Sequence, residues 1–353
     1  MLAVERFVVY GGTGNHSFDQ DVLSLTNAVS GLGLKFGHIS HSRWPDGEAG
    51  FKLEKPGKIA GRHVVVFSCP ITDKLELQLR DIVIACKQQY LAASVTVVIS
   101  FLRYRRQDHS DKPEEITRLR WFLRELRHWG ADRLIVCEPH NVAQTQHFCD
   151  EFGLQLSVTN PTRLFTAKIA DIIRVWGQDK IAVYSPDLGS VGRAMDLASS
   201  ISAPVVATPK RRINDRLEEV DGSEFLELVV QMFGDKVSVS CDLSVLSGTH
   251  VFMREDELSS GRTAVTRAVR LRQNGAASVR LVVTHPVCSP GWKIALFPDG
   301  EDQPFEGIWF GNTRPRGIDE TDYEGSTDGR VTTVNMAPAM AETLIQVLEG
   351  IKD

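Results

Sequence analysis

No two cysteines in this chain are spaced as a C-x-x-C pair. Cys69, Cys86, Cys137, Cys149, Cys241 and Cys288 are scattered, which excludes a zinc or disulfide framework and reads as reduced, buried thiols. There is no excess of basic residues either. Forty Lys and Arg against 45 Asp and Glu leave a net charge of -5, so the electrostatic footprint of a nucleic-acid binder is missing. No apolar run approaches membrane-spanning length, and "VTVVISFL" is strand-sized. Glu5 and Arg6 interrupt the first apolar stretch, so a first strand is expected there and not a signal peptide. The turn "GGTGNH" lacks the third glycine of a dinucleotide fingerprint, since Asn15, His16 and Ser17 follow Gly14, and no acid closes the next strand. It reads as a turn with positive-φ positions, not an NAD site. What remains is a globular chain, expected to be cytoplasmic, with room for two domains in 353 residues.

Short β-branched runs alternate with amphipathic segments throughout. Strands are expected at "RFVVY", "HVVVFS", "SVTVVIS", "RLIVC", "KIAVYS", "PVVAT", "THVFM" and "SVRLVVTH". In "ITRLRWFLRELRHW", Ile116, Leu119, Phe122, Leu123, Leu126 and Trp129 recur at helical spacing, with the intervening arginines forming a solvated face. Such alternation predicts an α/β chain of parallel sheets covered by helices. The best boundary lies at Asn160-Pro161, giving domains 1–161 and 162–353, with the last helix, "APAMAETLIQVLEGI", free to pack back on the first domain. "RGIDETDYEGSTDGR" reads as a polar loop.

The most informative stretch is "VFMREDELSSGRT". An apolar strand breaks into acids, then into a small hydroxyl-rich turn, and a helix follows with Val265, Ala268, Val269 and Leu271 on one side. A glycine-containing turn entering a helix offers N–H groups and a positive dipole end to a phosphate. Carboxylates just ahead of it suit ribose hydroxyls or a metal ion. An acidic loop followed by a serine N-cap explains this stretch equally well, so other segments must decide.

Those segments resemble one family in order along the chain. "WPDGE" resembles a Phe-x-Asp-Gly-Glu nucleotide loop and "RYRRQDHSDKPEEI" a Tyr-x-Arg-Gln-Asp ATP segment. "EPH" resembles Asp-Leu-His, "SPDLGSVGRA" resembles Ser-Pro-Asp-x-Gly-x-x-x-Arg, "TPKRR" a Lys-x-Arg flap and "THPVCS" a Thr-His-Gly-x-x-Ser turn. The chain thus resembles the ribose-phosphate diphosphokinases (phosphoribosyl diphosphate synthetases). The resemblance implies two tandem type I phosphoribosyltransferase-like domains, each a mainly parallel sheet flanked by helices. It implies transfer of a diphosphoryl group from magnesium-ATP to the anomeric hydroxyl of ribose 5-phosphate, releasing AMP. Trp44, Asp46, Glu48, Arg106, Gln107 and Asp108 are then expected to contact ATP, the first three reaching a neighbouring subunit. His140 and Asp187 are expected to bind Mg2+, and Lys210 and Arg212 to stabilise the transferring group. Glu255, Asp256, Ser259, Ser260, Gly261, Arg262 and Thr263 would hold the sugar phosphate. The implied partners are ATP and a ribose phosphate, with a homo-oligomer (dimer or hexamer) and neither nucleic acid nor membrane.

Several positions depart from the family pattern. Ser259 replaces an acid, Arg262 a glycine, Gly192 a lysine and Asn141 a small apolar residue. The segment 222–247 is longer and more apolar than usual, consistent with an added strand or helix on the second domain. Arg262 suggests an acceptor with extra negative charge, such as ADP-ribose. A non-catalytic regulatory homologue would be expected to lose flap or metal residues, yet Lys210, Arg212, His140 and Asp187 are present.

Overall fold

The computed structural model describes all residues except 1–3, 55, 111, 113, 214–215, 235–238, 299–302, 316–328 and 352–353. The polar stretch 316–328 therefore lies outside the described residues. The chain divides into two compact units.

The first unit opens with β1 (Phe7–Thr13), α1 (His16–Ser30) and β2 (Phe36–Gly37). A hairpin follows, β3 (Ile39–Arg43) and β4 (Ala49–Leu53), antiparallel and apart from the main sheet. Then come β5 (His63–Ser68), α2 (Asp73–Ile84), β6 (Ser94–Ile99), α3 (Arg118–Trp129), β7 (Arg133–Cys137), α4 (Val142–Phe152) and β8 (Gln155–Thr159). The six-stranded sheet runs β2-β1-β5-β6-β7-β8 and is parallel throughout. Every residue of β6 is buried, as expected of a central parallel strand covered on both faces. On α3 the predicted face is inside, from Leu119 to Trp129. Ile116 is not part of it: the helix starts at Arg118, after Thr117, and Ile116 is 64% exposed.

The second unit holds α5 (Thr162–Trp176), β9 (Ile181–Ser185), α6 (Val191–Ile201) and β10 (Val205–Ala207). A second antiparallel hairpin, β11 (Lys210–Ile213) and β12 (Arg216–Glu219), precedes α7 (Gly222–Phe233) and β13 (Val239–Ser240). The unit is completed by β14 (His250–Leu258), α8 (Arg262–Gln273), β15 (Ser278–Pro286), α9 (Trp292–Leu296), β16 (Gly307–Gly311) and β17 (Val331–Val334). Its parallel sheet has seven strands in the order β13-β10-β9-β14-β15-β16-β17. The long segment after the flap thus supplies one helix and one edge strand. Phe225 and Val229 of α7 pack with Val191 and Ala207, and a Cβ at Gly192 would lie 3.0 Å from the Phe233 ring.

Residues 313–315, which interrupt the second unit in sequence, and the residues from 336 on, which follow it, belong to the first. There α10 (Ala337–Gly350) packs on α1, and Thr343 Oγ1 is 2.8 Å from Thr159 Oγ1 at the end of β8.

Candidate active site

In the first unit the segments singled out from sequence lie beyond the carboxyl ends of strands, where parallel α/β sheets place ligands, or on the β3–β4 hairpin. The hairpin tip is closed by Trp44 N–H donating to Glu48 O (2.8 Å) and Gly47 N–H donating to Trp44 O (2.9 Å). Asp46 Oδ1 accepts from Glu48 N–H at 3.0 Å. The turn needs Gly47, whose φ is +93°. Trp44, Asp46 and Glu48 are all exposed, and the indole is 58% accessible.

After β6 the chain passes Tyr104 in the left-handed region (φ 60°) and closes a turn from Gln107 N–H to Tyr104 O at 2.7 Å. Arg106 and Gln107 face solvent. Asp108 is buried, its Oδ1 2.6 Å from His109 Nδ1. Tyr104 itself sits between two guanidinium groups, Arg103 at 4.6 Å and Arg118 at 4.2 Å from the ring centroid. His140, half-buried, follows β7. Its neighbour Asn141, unexpected beside it, caps α4 by accepting from Gln144 N–H at 3.0 Å. At the end of β1, a side chain on Gly14 (φ 106°) would meet the Cys69 carbonyl, and the Asn15 amide donates to Thr313 O at 3.1 Å. That turn is committed to packing.

In the second unit the sequence reading needs one correction. Glu255, Asp256 and Glu257 do not break the strand: β14 continues through Leu258, held in register with β15 as far as Leu258 opposite Pro286. The turn is Ser259 to Gly261. Because alternate strand residues face opposite sides, the two expected sugar carboxylates diverge. Glu255 shares its face with Met253 and meets α8, where Arg267 Nη1 lies 2.9 Å from its Oε1. Asp256 faces the other way and meets α6, where Arg193 Nη2 lies 3.5 Å from its Oδ1. Asp187 caps the short turn Leu188–Ser190, its Oδ1 accepting from Ser190 N–H (3.1 Å) and Oγ–H (3.0 Å). Its Oδ2 is 3.4 Å from Arg267 Nη2.

Gly261 (φ 77°) turns the chain into α8, and a Cβ there would lie 2.8 Å from Leu296. Ser259 Oγ is tied to Ser289 Oγ at 2.8 Å, which joins the turn after β14 to the one after β15. The first N–H groups of α8 lack carbonyl partners within the helix and open toward an anion. Arg262 and Thr263 are exposed at this end. Arg262 rims a groove of about 350 Å³ lined by Val265, Gly291, Ile294 and Ala295. Lys210 begins the flap hairpin, opposite Glu219, and β11 packs beside the Leu188–Ser190 turn. Arg212 lies opposite Leu217, and its side chain is outside the described residues.

Arg254 and Arg267 were not singled out from sequence, and Arg193 entered only as the last residue of the Ser-Pro-Asp-x-Gly-x-x-x-Arg resemblance. For Arg267 a signal existed. Ala264, Ala268 and Leu271 are the buried residues of α8, and position 267 falls on their face, while Val269, expected inside, is 42% exposed. An arginine at a core-facing helix position needs a carboxylate to meet it.

Asp187, Glu255 and Asp256 gather around Arg193 and Arg267. Burial is the main reason that Glu255 is pushed up to about 7; Arg267 opposes the shift, while Asp187 and Asp256 add to it. Between the ordinary value of 4.5 and about 7, the folded chain holds a proton there that the unfolded chain has lost. The stability carried by that proton is complete below 4.5 and disappears as pH rises through 7. Wild-type Tm should therefore fall from about pH 5 to about pH 7 more steeply than that of Glu255→Gln, which has nothing to titrate. Parallel slopes in a thermal-melt series would remove Glu255 as the titrating group.

Comparison with known proteins fits these parts together. Residues 7–130 match the N-terminal domain of ribose phosphate pyrophosphokinase. The chain is 27% identical over 343 residues to "Ribose-phosphate pyrophosphokinase 1, chloroplastic" of Oryza sativa subsp. japonica, covering 97% of this chain and 76% of that one. It is 25% identical over 339 residues to the ribose-phosphate pyrophosphokinase of Sulfurisphaera tokodaii, covering 96% of this chain and all (100%) of that one. Residues 7–130 thus carry that family's N-terminal domain, and the chain as a whole is similar to the ribose-phosphate pyrophosphokinases. Phosphoribosylpyrophosphate synthetase from Mycobacterium smegmatis shares the fold, with a TM-score of 0.75 over 98% of this chain and 100% of that one at 19% identity. By this similarity the protein is a transferase, built on the two parallel sheets expected from its sequence. No helix among its described residues is long and apolar enough to cross a membrane.

Proposed function

We propose that the protein transfers a diphosphoryl group from ATP to the anomeric hydroxyl of ribose 5-phosphate. The observation that carries this reading is the end of β14. Two carboxylates, a hydroxyl-rich turn and the open N-terminus of α8 follow one another within a few residues. The α8 N–H groups with Ser259, Ser260 and Thr263 suit the 5-phosphate, and Glu255 and Asp256 suit the ribose hydroxyls. The anomeric oxygen bonds to the β-phosphorus as the bond from that phosphorus to the α-phosphate bridging oxygen breaks. AMP leaves, and the hydroxyl proton is lost to solvent. Such a reaction asks mainly for positioning and charge neutralisation, which Lys210 and Arg212 on the flap would supply. Trp44, Asp46 and Glu48 at the exposed hairpin tip are suited to complete the ATP site of a neighbouring subunit, with Arg106, Gln107 and Asp108 contributed from the same fold.

Magnesium enters this scheme on the triphosphate, as part of the nucleotide substrate. One of the two residues expected to hold it from the protein side, Asp187, does not fit a divalent ion as it stands. Asp187 is engaged by Ser190 and Arg267, and no group of three or more His, Cys, Asp or Glu among the described residues converges on one point. No step is routed through a protein-bound ion.

Arg262 favours a second acceptor, a ribose whose 5-position carries a diphosphate, as in ADP-ribose. Its exposed guanidinium stands beside the phosphate turn, on the rim of an open groove. One assay decides among the readings. With magnesium-ATP and either ribose 5-phosphate or ADP-ribose, chromatography should show AMP as the nucleotide product. ADP would indicate an ordinary kinase, and no turnover of either acceptor a regulatory homologue. A preference for ADP-ribose that Arg262→Gly erodes would assign the larger acceptor.

A further inference from the structure

Arg267 occupies the place where a cation would be expected. Its side chain is 17% exposed, and its guanidinium bridges carboxylates from two elements. Nη1 is 2.9 Å from Glu255 on β14, and Nη2 is 3.4 Å from Asp187 after β9. An ion touching both carboxylates must enter the space between them, which the guanidinium already fills. Arginine suits that position because its planar fork reaches two acceptors at once and does not lose its charge by deprotonation. We propose that Arg267 is a built-in counter-cation of this site, and that a divalent ion gains Asp187 and Glu255 only by displacing it. The proposal rests on the transferase reading above for its choice of ligand alone.

Two consequences follow from the geometry. The carboxylates stay paired and the site stays formed without metal, since neither acid is left facing the other uncompensated. Free divalent ions should bind weakly, because each must pull a guanidinium away from two carboxylates at short range before gaining their oxygens.

Binding of Mn2+ to the full chain without nucleotide, followed by electron paramagnetic resonance of the free ion, tests this directly. Arg267→Ala should bind Mn2+ roughly tenfold or more tightly than wild type, and Arg267→Lys should fall between the two. Adding Asp187→Asn to Arg267→Ala should abolish the gain. Should the alanine variant fold poorly, Arg267→Gln keeps most of the side-chain volume without the charge. Mn2+ should then raise the Tm of that variant and leave wild type nearly unmoved. Equal Mn2+ affinity with and without Arg267, a gain that survives Asp187→Asn, or equal Tm responses would overturn the proposal. No ATP is present in these measurements. An enzyme without diphosphoryl transfer can therefore still pass them, and an active one can still fail.

Discussion

Lys210→Ala is expected to lower kcat on the order of a hundredfold or more while KM changes far less. The base of the flap is well fixed. Lys210 N–H donates to Thr208 O at 2.7 Å, and Thr208 Oγ1 lies 2.5 Å from the buried Tyr184 hydroxyl. Next to it is the Leu188–Ser190 turn that Asp187 caps. In the proposed reaction an ammonium held there would meet charge that develops on the transferring group, and such a contact is stronger in the transition state than in the ground state. Lys210→Arg should recover part of the loss, since it restores the charge on a different geometry. Steady-state kinetics with both variants separate these cases. An unchanged kcat would return the flap lysine to an ordinary surface charge.

The largest effect on stability should come from Arg254. It is the largest fully buried side chain of the described residues. Its guanidinium lies 4.9 Å from the Phe165 ring centroid, donates to Thr284 Oγ1 at 2.9 Å and reaches the Glu255 carbonyl. Arg254→Ala removes packing against Phe165 and strips these acceptors of a donor inside the core. Cavity and unmet polar groups together cost about 3 kcal/mol or more. For a unit of this size that corresponds to a Tm lower by roughly 6–12 °C. Arg254→Met keeps much of the packing and should lose distinctly less. Denaturant melts place the two variants in order, and an alanine variant as stable as wild type would contradict the buried role assigned to this side chain.

Much of the fold was legible because its signals are local. Runs such as "HVVVFS" and "SVTVVIS" are β-branched and apolar throughout, and they became β5 and β6 at the centre of the first sheet. The helical spacing from Leu119 to Trp129 announced α3. The order of short motifs carried the family. Several strands went unread: β2, β8, β16, β17 and the hairpins β3–β4 and β11–β12, while β13 was foreseen only as an added strand or helix. Their pairing depends on a partner elsewhere in the chain, not on their own composition.

The sequence by itself thus determined the alternation of strands and helices, the acids and hydroxyls at the end of β14, and the place of the flap lysine. Only the tertiary structure decided what those acids face. The pleat sends Glu255 toward α8 and Asp256 toward α6 once β14 runs on to Leu258. Arg267 then meets Asp187 from 80 positions away, and α10 joins the first unit after the whole second unit has been built. Periodicity reports which side of an element is buried. Which charge waits on that side is set by the neighbours that the sheet order brings there, and a pattern of a few residues carries no record of them.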